Sequence, residues 1–299
     1  MTANEIVRVY LRSVARRLAS GGLTKDVAEG YERDLNAFCS KFGDTEVEKL
    51  RQHDLTEFLA DHPNWKSTHT KRRVIAAVLA CFRWARDEEL IAACPYSSPR
   101  ALRSLVAETR RPATDAEFRA LMRVGSRPLK FALLFLYLTG CRTKEMRDLE
   151  WESVRIDGQF PHLHLAKHKT VHKTGKPRLV GLDRLAVRLL RALRRLSKSE
   201  RVFVNCDGTP WTRHNFCRHL RRAAVRASLD DGAESRVTGY CLRHSYACAG
   251  IAAGQTADQV GHQLGHASGE MVSRIYARHV GQDLSFISGV AVQIARKRS

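Results

Sequence analysis

The chain has 299 residues, enough for two domains with separate cores. Fifty-one Lys+Arg against 31 Asp+Glu give a formal net charge of +20. At 43% hydrophobic and 27% charged it is neither a disordered nor a collagenous chain, and its longest apolar run, 11 residues over 131–141, falls short of the roughly 20 that a membrane span needs.

The first hundred residues read as helices. Val27, Tyr31, Leu35, Phe38 and Phe42 recur at helical spacing behind Thr24 as N-cap. Leu55, Phe58 and Leu59 mark a short helix. Ile75, Val78, Leu79, Phe82 and Trp84 mark another, opened by Ser67 or Thr68. Lys71, Arg72 and Arg73 sit in its first turns, where the helix dipole favours acids. They are either solvated surface or phosphate contacts. Pro95, Ser97, Ser98 and Pro99 argue for a break, placing a linker within 95–112.

Beyond it, Thr114-Asp115-Ala116-Glu117 is a capping box ahead of Phe118, Leu121 and Met122. A buried helix over 128–139 follows, with Gly140 as its C-terminal cap. Residues 154–156, 162–166 and 178–182 alternate or carry β-branched residues, with turns at Asp157-Gly158 and Thr174-Gly175; they predict a small antiparallel sheet. Helices resume at Arg184 and run to the end. The segment 184–201 is basic, with Leu185, Leu189, Leu190, Leu193 and Leu196 as its core stripe. A helix around Phe216, Leu220 and Val225 carries Arg213, His214, Arg218, His219, Arg221, Arg222 and Arg226 without an acid among them. That density favours contacts with a nucleic-acid backbone over a merely solvated face. The predicted fold class is mainly α (α+β): a helical domain over 1–105, then a helical domain over 112–299 with a small inserted antiparallel sheet.

Charge and cysteines narrow the function. Residues 1–105 carry net +3 and residues 106–299 net +17. A polyanion gains free energy on such a surface through counterion release, so nucleic acid is the first partner to consider. An anionic membrane is second, but no clean basic amphipathic anchor helix is present. Ribosomal-type binders are usually shorter and less apolar. The eight cysteines include no CxxC pair, and with no export-signal pattern at the N-terminus they read as reduced in a soluble, cytoplasmic protein.

Four segments carry chemistry. Arg142 follows an apolar helix and a glycine, where it is either an exposed junction residue or a ligand of phosphate oxygens. Arg243 lies among apolar neighbours and needs a partner, either a phosphate or a carboxylate such as Glu145. Residues 256–265 read as a short capped helix ending at Gly265, with His266 just beyond. Tyr276, ten residues on, alone reads as packing. His162, His164, His168 and His172 cluster in sequence, but no cysteine or acid completes a zinc site. Thr174-Gly175-Lys176 lacks the upstream glycine of a P-loop.

In order, GCRxxE, KTGKPRLV, LRHSYA, LGH and IY resemble the tyrosine recombinases of the phage-integrase family, over nearly the whole chain. Residues 1–105 are similar to that family's core-binding domain and 112–299 to its catalytic domain. The resemblance implies DNA cleavage and rejoining through a covalent 3′-phosphotyrosine, with neither metal nor cofactor nor ATP, in integration or excision of a mobile element.

Residue by residue it implies Tyr276 as nucleophile, with Arg142 and Arg243 on the phosphate. His266 would bond a nonbridging oxygen, and Glu145 would orient Arg142. The general acid is Lys173 by the tight-hairpin spacing, or Lys169 if the hairpin is longer. Tyr240 stands where the family usually has histidine, three residues before the second arginine. Two charged groups, Lys71, Arg72 and Arg73 and then Arg213, Arg218, Arg221 and Arg222, are the candidate DNA contacts. The implied partner is double-stranded DNA at the bacterial nucleoid, bound by a homotetramer on two paired sites that is monomeric or weakly associated off DNA. No arm-binding module is expected ahead of Glu5. A strand-swivelling type IB topoisomerase and a non-catalytic DNA-binding regulator remain as alternatives.

Overall fold

The computed structural model describes residues 1–62, 65, 67–97, 111–166, 177–229, 236–266, 269, 272 and 273. The chain divides into two compact units, Met1–Glu108 and Thr109–Ser299.

The first unit holds α1 (Ala3–Ala19), α2 (Lys25–Phe42), α3 (Gln52–Ala60) and α4 (Thr68–Asp87). Helix α1 is not among the predicted helices, although its grammar is plain. Thr2 and Glu5 form a capping box, and Ile6, Val7, Tyr10 and Val14 are its buried face. Ser67 caps α4 by accepting from the His69 N–H. Phe38 is fully buried and meets Phe58, Phe82 and Tyr96 edge-on, with ring centroids 5.4–5.9 Å apart. Edge-to-face packing of this kind fixes the helices' relative positions as well as burying area.

The predicted stripe of α2 needs one correction. Val27 is exposed, because it lies in the first turn, beyond the reach of the core. Asp34 is buried instead and ion-pairs with Arg73 of α4 and Arg33. Arg73 therefore ties two helices together.

The second unit begins with α5 (Asp115–Val124), whose Thr114–Glu117 capping box is formed. Then come α6 (Arg127–Thr139) and the short α7 (Thr143–Asp148). The strands β1 (Val154–Arg155), β2 (His162–Leu165) and β3 (Arg178–Gly181) pair antiparallel in the order β1-β2-β3. Leu163 stands opposite Val180, and Leu165 opposite Arg178. The helices α8 (Arg184–Leu196), α9 (Arg213–Arg226), α10 (Gly239–Ala252) and α11 (Ala257–Leu264) complete it.

The apolar α6 is the middle of this unit. Its Leu133 and Leu136 share one core with Leu163, Val180, Leu190, Phe216 and Leu242. Leu185 and Leu196, placed inward by the sequence pattern, are exposed, as is Val225. Leu185 and Leu196 lie at the two ends of α8 and Val225 at the last turn of α9, past the edge of the packed surface. No helix among the described residues is long and apolar enough to cross a membrane.

Phe38→Ala is expected to destabilise the first unit by about 3–5 kcal/mol, because Phe58, Phe82 and Tyr96 cannot collapse into the space. Chemical denaturation would read this as a lowered unfolding midpoint; an unchanged midpoint would refute the packing described.

Candidate active site

Segments far apart in sequence meet where α6 and α11 end. Gly140 closes α6 in the left-handed region, at φ 63°. A Cβ there would fall 2.6 Å from Leu264 Cδ2 and 2.8 Å from the Tyr246 ring, so the position has no room for a side chain. Two residues later, Arg142 caps α7. Its backbone N–H donates to Glu145 Oε2 and its Nη1 to Oε1, both at 2.7 Å. Glu145 thus grips Arg142 at both ends.

Glu145 is buried, and its Oε2 also lies 2.5 Å from Nη1 of Arg178 on β3. Burial alone would raise its pKa. The charge and hydrogen bonding of Arg178, and then of Arg142, outweigh burial and hold the carboxyl below the usual carboxylate range.

Arg243 projects from α10 and is 3% exposed. Its partners are carbonyls, not the Glu145 carboxylate. Nη1 donates to Gly140 O at 2.7 Å, and Nη2 to Leu264 O at 2.5 Å and His266 Nε2 at 3.0 Å. Burial, then the charges of Arg142 and Arg178, push its pKa down to about 10, which leaves it protonated at neutral pH.

The end of α11 collects all three arginines. Arg178 Nη2 donates to Gln263 O at 2.7 Å, Arg243 to Leu264 O, and Arg142 Nη2 to Gly265 O at 3.1 Å. These are the helix's last carbonyls, its negative end. Gly265 is left-handed, at φ 68°, and hands the chain to His266. A guanidinium only donates, so His266 Nε2 accepts from Arg243 and the ring proton belongs on Nδ1. That Nδ1 is buried and has no hydrogen-bond partner among the described residues. Burial, then the charges of Arg243, Arg142 and Arg178, lower the imidazole pKa to about 4. The ring is therefore neutral at physiological pH and offers one N–H.

Tyr240 stands one turn ahead of Arg243 on α10, partly exposed, with its ring edge-on to the buried His244 at 4.7 Å. On α9, Arg213, Arg218, Arg221 and Arg222 are exposed, while Phe216 and Leu220 face the core. Lys71, Arg72 and Arg73 are half-buried on α4 of the other unit. Tyr276, Lys173 and Lys169 lie outside the described residues. Among the described residues no group of three or more His, Cys, Asp or Glu is arranged to hold a metal ion.

Of the residues singled out in the sequence, Arg142, Glu145, Arg243 and His266 come together. Arg178 and Gln263 were missed. The signal for Arg178 was its register: it shares the inward face of β3 with Val180. Three guanidinium groups around one carboxylate leave the cluster positive, with a neutral N–H beside it, which suits an anion bearing several oxygens.

The phage integrase family model matches residues 113–282, and that of its N-terminal SAM-like domain matches residues 12–89. The chain belongs to the phage integrase family. It is a tyrosine recombinase, an enzyme of site-specific DNA cleavage and rejoining. It is 26% identical over 265 residues to tyrosine recombinase XerD of Listeria monocytogenes serotype 4b (strain F2365), covering 82% of this chain and 84% of that one. Its fold is similar to a lambda integrase tetramer bound to a Holliday junction (TM-score 0.75, 19% identity, 92% of this chain and 77% of that one). It is also similar to the Tn1549 transposon integrase in complex with transposon right end DNA (TM-score 0.71, 17% identity, all of both chains).

The neutral imidazole of the recombinase has a consequence for stability. The folded ring resists protonation down to about pH 4, whereas an unfolded histidine takes up its proton near about 6.5. Acid between those values favours the unfolded chain. The melting temperature of the wild type is expected to fall more between about pH 7 and about pH 5 than that of His266→Gln. Equal falls would show that the ring is not held neutral.

Proposed function

We propose that this recombinase cuts DNA by attack of Tyr276 on a phosphodiester and serves the integration or excision of a mobile element. The observation that carries the reading is the cluster of Arg142, Arg243 and the neutral His266, held together before any substrate is present. In-line displacement gathers negative charge on the nonbridging oxygens. Two fixed guanidinium groups and an imidazole N–H lower the energy of that state more than they lower that of the ground state.

The Tyr276 oxygen bonds to phosphorus as the bond to the 5′ oxygen breaks. The phenol, with a free pKa of about 10, gives up its proton more readily beside positive charge. The departing 5′ oxygen takes a proton from Lys173, with Lys169 as the alternative donor. One phosphate ester replaces another, so the energy of the bond is kept and the released 5′-hydroxyl reverses the step without ATP or metal. Tyr240, in the place where the family usually has histidine, is a hydrogen-bonding group and a poor base near neutral pH.

Double-stranded DNA is the partner, and the exposed arginines of α9 are its backbone contacts. The recombinase works in the cytoplasm at the nucleoid as a homotetramer on two paired sites. Supporting that assembly, a groove of about 820 Å³ lies against β3, α10 and α11, lined in part by Phe160, Leu179 and Tyr246. The segment after Tyr276, with Leu284, Phe286, Ile287 and Val290, is apolar enough to fill such a groove on a neighbouring subunit.

Wild-type protein mixed with nicked duplexes from the DNA flanking its own gene is expected to give an SDS-resistant adduct, and Tyr276→Phe none. Specific binding without an adduct would make the chain a regulator. A duplex with sulfur in place of the bridging 5′ oxygen needs no proton donor for the leaving group. It is therefore expected to restore cleavage in whichever of Lys173→Ala and Lys169→Ala has lost the general acid. Arg218→Ala is expected to weaken binding evenly across sequences and to lower the slope of log affinity against log salt by roughly 1. An unchanged slope would remove Arg218 from the interface.

A further inference from the structure

We propose that Arg178 is a positioning residue of this site, joining Glu145 to the end of α11 so that Arg142, Arg243 and His266 stand in place before DNA arrives. The inference rests on the cleavage reading above.

An arginine is expensive to bury, and it persists there only with partners. The Arg178 side chain is 4% exposed, against 19% for Arg142. It points inward from β3, opposite Leu165. It is too enclosed to meet DNA and acts through what it touches.

One nitrogen lies against Glu145 Oε2, the oxygen that also accepts from the Arg142 backbone. Another donates to Gln263 O. Its Nε lies where a Cβ on Gly265 would approach within 2.5 Å, so the side chain forms the wall that shapes the turn into His266. Gln263 secures the other end of β3: its side chain donates to Gly181 O at 2.9 Å and accepts from Gly181 N–H at 3.1 Å. The strand and the end of α11 are thereby fixed at two points.

Removing the Arg178 guanidinium frees Glu145 from one side and leaves the Gln263 carbonyl unpaired. It also opens space beside Gly265. Arg142 then loses its fixed carboxylate, and His266 loses its fixed turn. A positioning role therefore predicts loss of rate rather than loss of binding. It also predicts a changed environment at His266. The charged and titratable groups facing that ring are Arg243 and His244 on α10, Arg142 at the cap of α7 and Arg178 on β3.

The test compares the full chain with R178K, R178Q and R178M. Titration of the His266 ring by NMR on histidine-labelled protein needs no DNA. R178M is expected to raise the His266 midpoint by about one unit or more, and R178K to restore most of the difference. On the nicked duplex, adduct formation by R178M is expected to fall by about thirtyfold or more while affinity changes by less than about threefold. R178K is expected to recover much of the rate.

A folded R178M with an unmoved His266 midpoint overturns the proposal. So does a loss of affinity that matches the loss of rate, which would make Arg178 a binding residue. If neither R178M nor R178Q melts cooperatively, Arg178 is structural and the proposal falls. A wild-type chain that forms no adduct counts against the function proposed above, and the titration then decides this inference alone.

Discussion

An α-helix ends in carbonyls that no amide of its own can reach, and α11 gives three of them in succession to three arginines. Gln263, Leu264 and Gly265 accept from Arg178, Arg243 and Arg142, which arrive from β3, α10 and the cap of α7. Three guanidinium groups so close repel one another. The negative end of the helix and the single carboxylate of Glu145 offset that repulsion without cancelling the charge. Everything else in the site depends on this balance. A second carboxylate would halve the net charge of the cluster, and a helix running one turn further would close its carbonyls to the arginines.

The same arrangement explains the two left-handed glycines. Gly140 must end α6 where its carbonyl reaches Arg243, with Leu264 and Tyr246 pressed against its Cα. Gly265 must turn α11 against the flat of Arg178. Both positions demand a positive φ and no Cβ. Each glycine lies beside a residue of the cluster: Arg142 two positions after the first, His266 directly after the second. Backbone geometry, rather than loop flexibility, sets the side chains.

Much of this was legible locally. Caps are written in four residues or fewer, so the Thr114–Glu117 box, Ser67 and Gly140 stood out, as did the inserted sheet with its alternation. The apolar 128–139 stretch needed no partner to be recognised as core. The first helix obeys the same rules, and only the mixed character of its buried face, with Ala3 and Tyr10 among the aliphatics, hid it.

What stayed hidden was long-range pairing. An arginine opening a strand reads as solvent-facing. Its inward turn is decided by Glu145 upstream and by Gln263, 85 positions downstream. Asp34 likewise looks like a surface acid until Arg73 is brought to it. Arg243 was legible as buried, but its satisfaction by carbonyls was not, since any residue supplies a carbonyl and sequence cannot mark which one.

These partners also bear on the departure at Tyr240. If His266 were charged, the site would hold four cations and one acid, and it would bind phosphate tightly in the ground state as well as in the transition state. Tight ground-state binding adds nothing to the rate. Held neutral by burial and by its arginine neighbours, the ring accepts from Arg243 at Nε2 and keeps its proton on Nδ1. A phenol at Tyr240, one turn from Arg243, can both donate and accept a hydrogen bond. The charge of the cluster is set by Arg142, Arg178, Arg243 and Glu145.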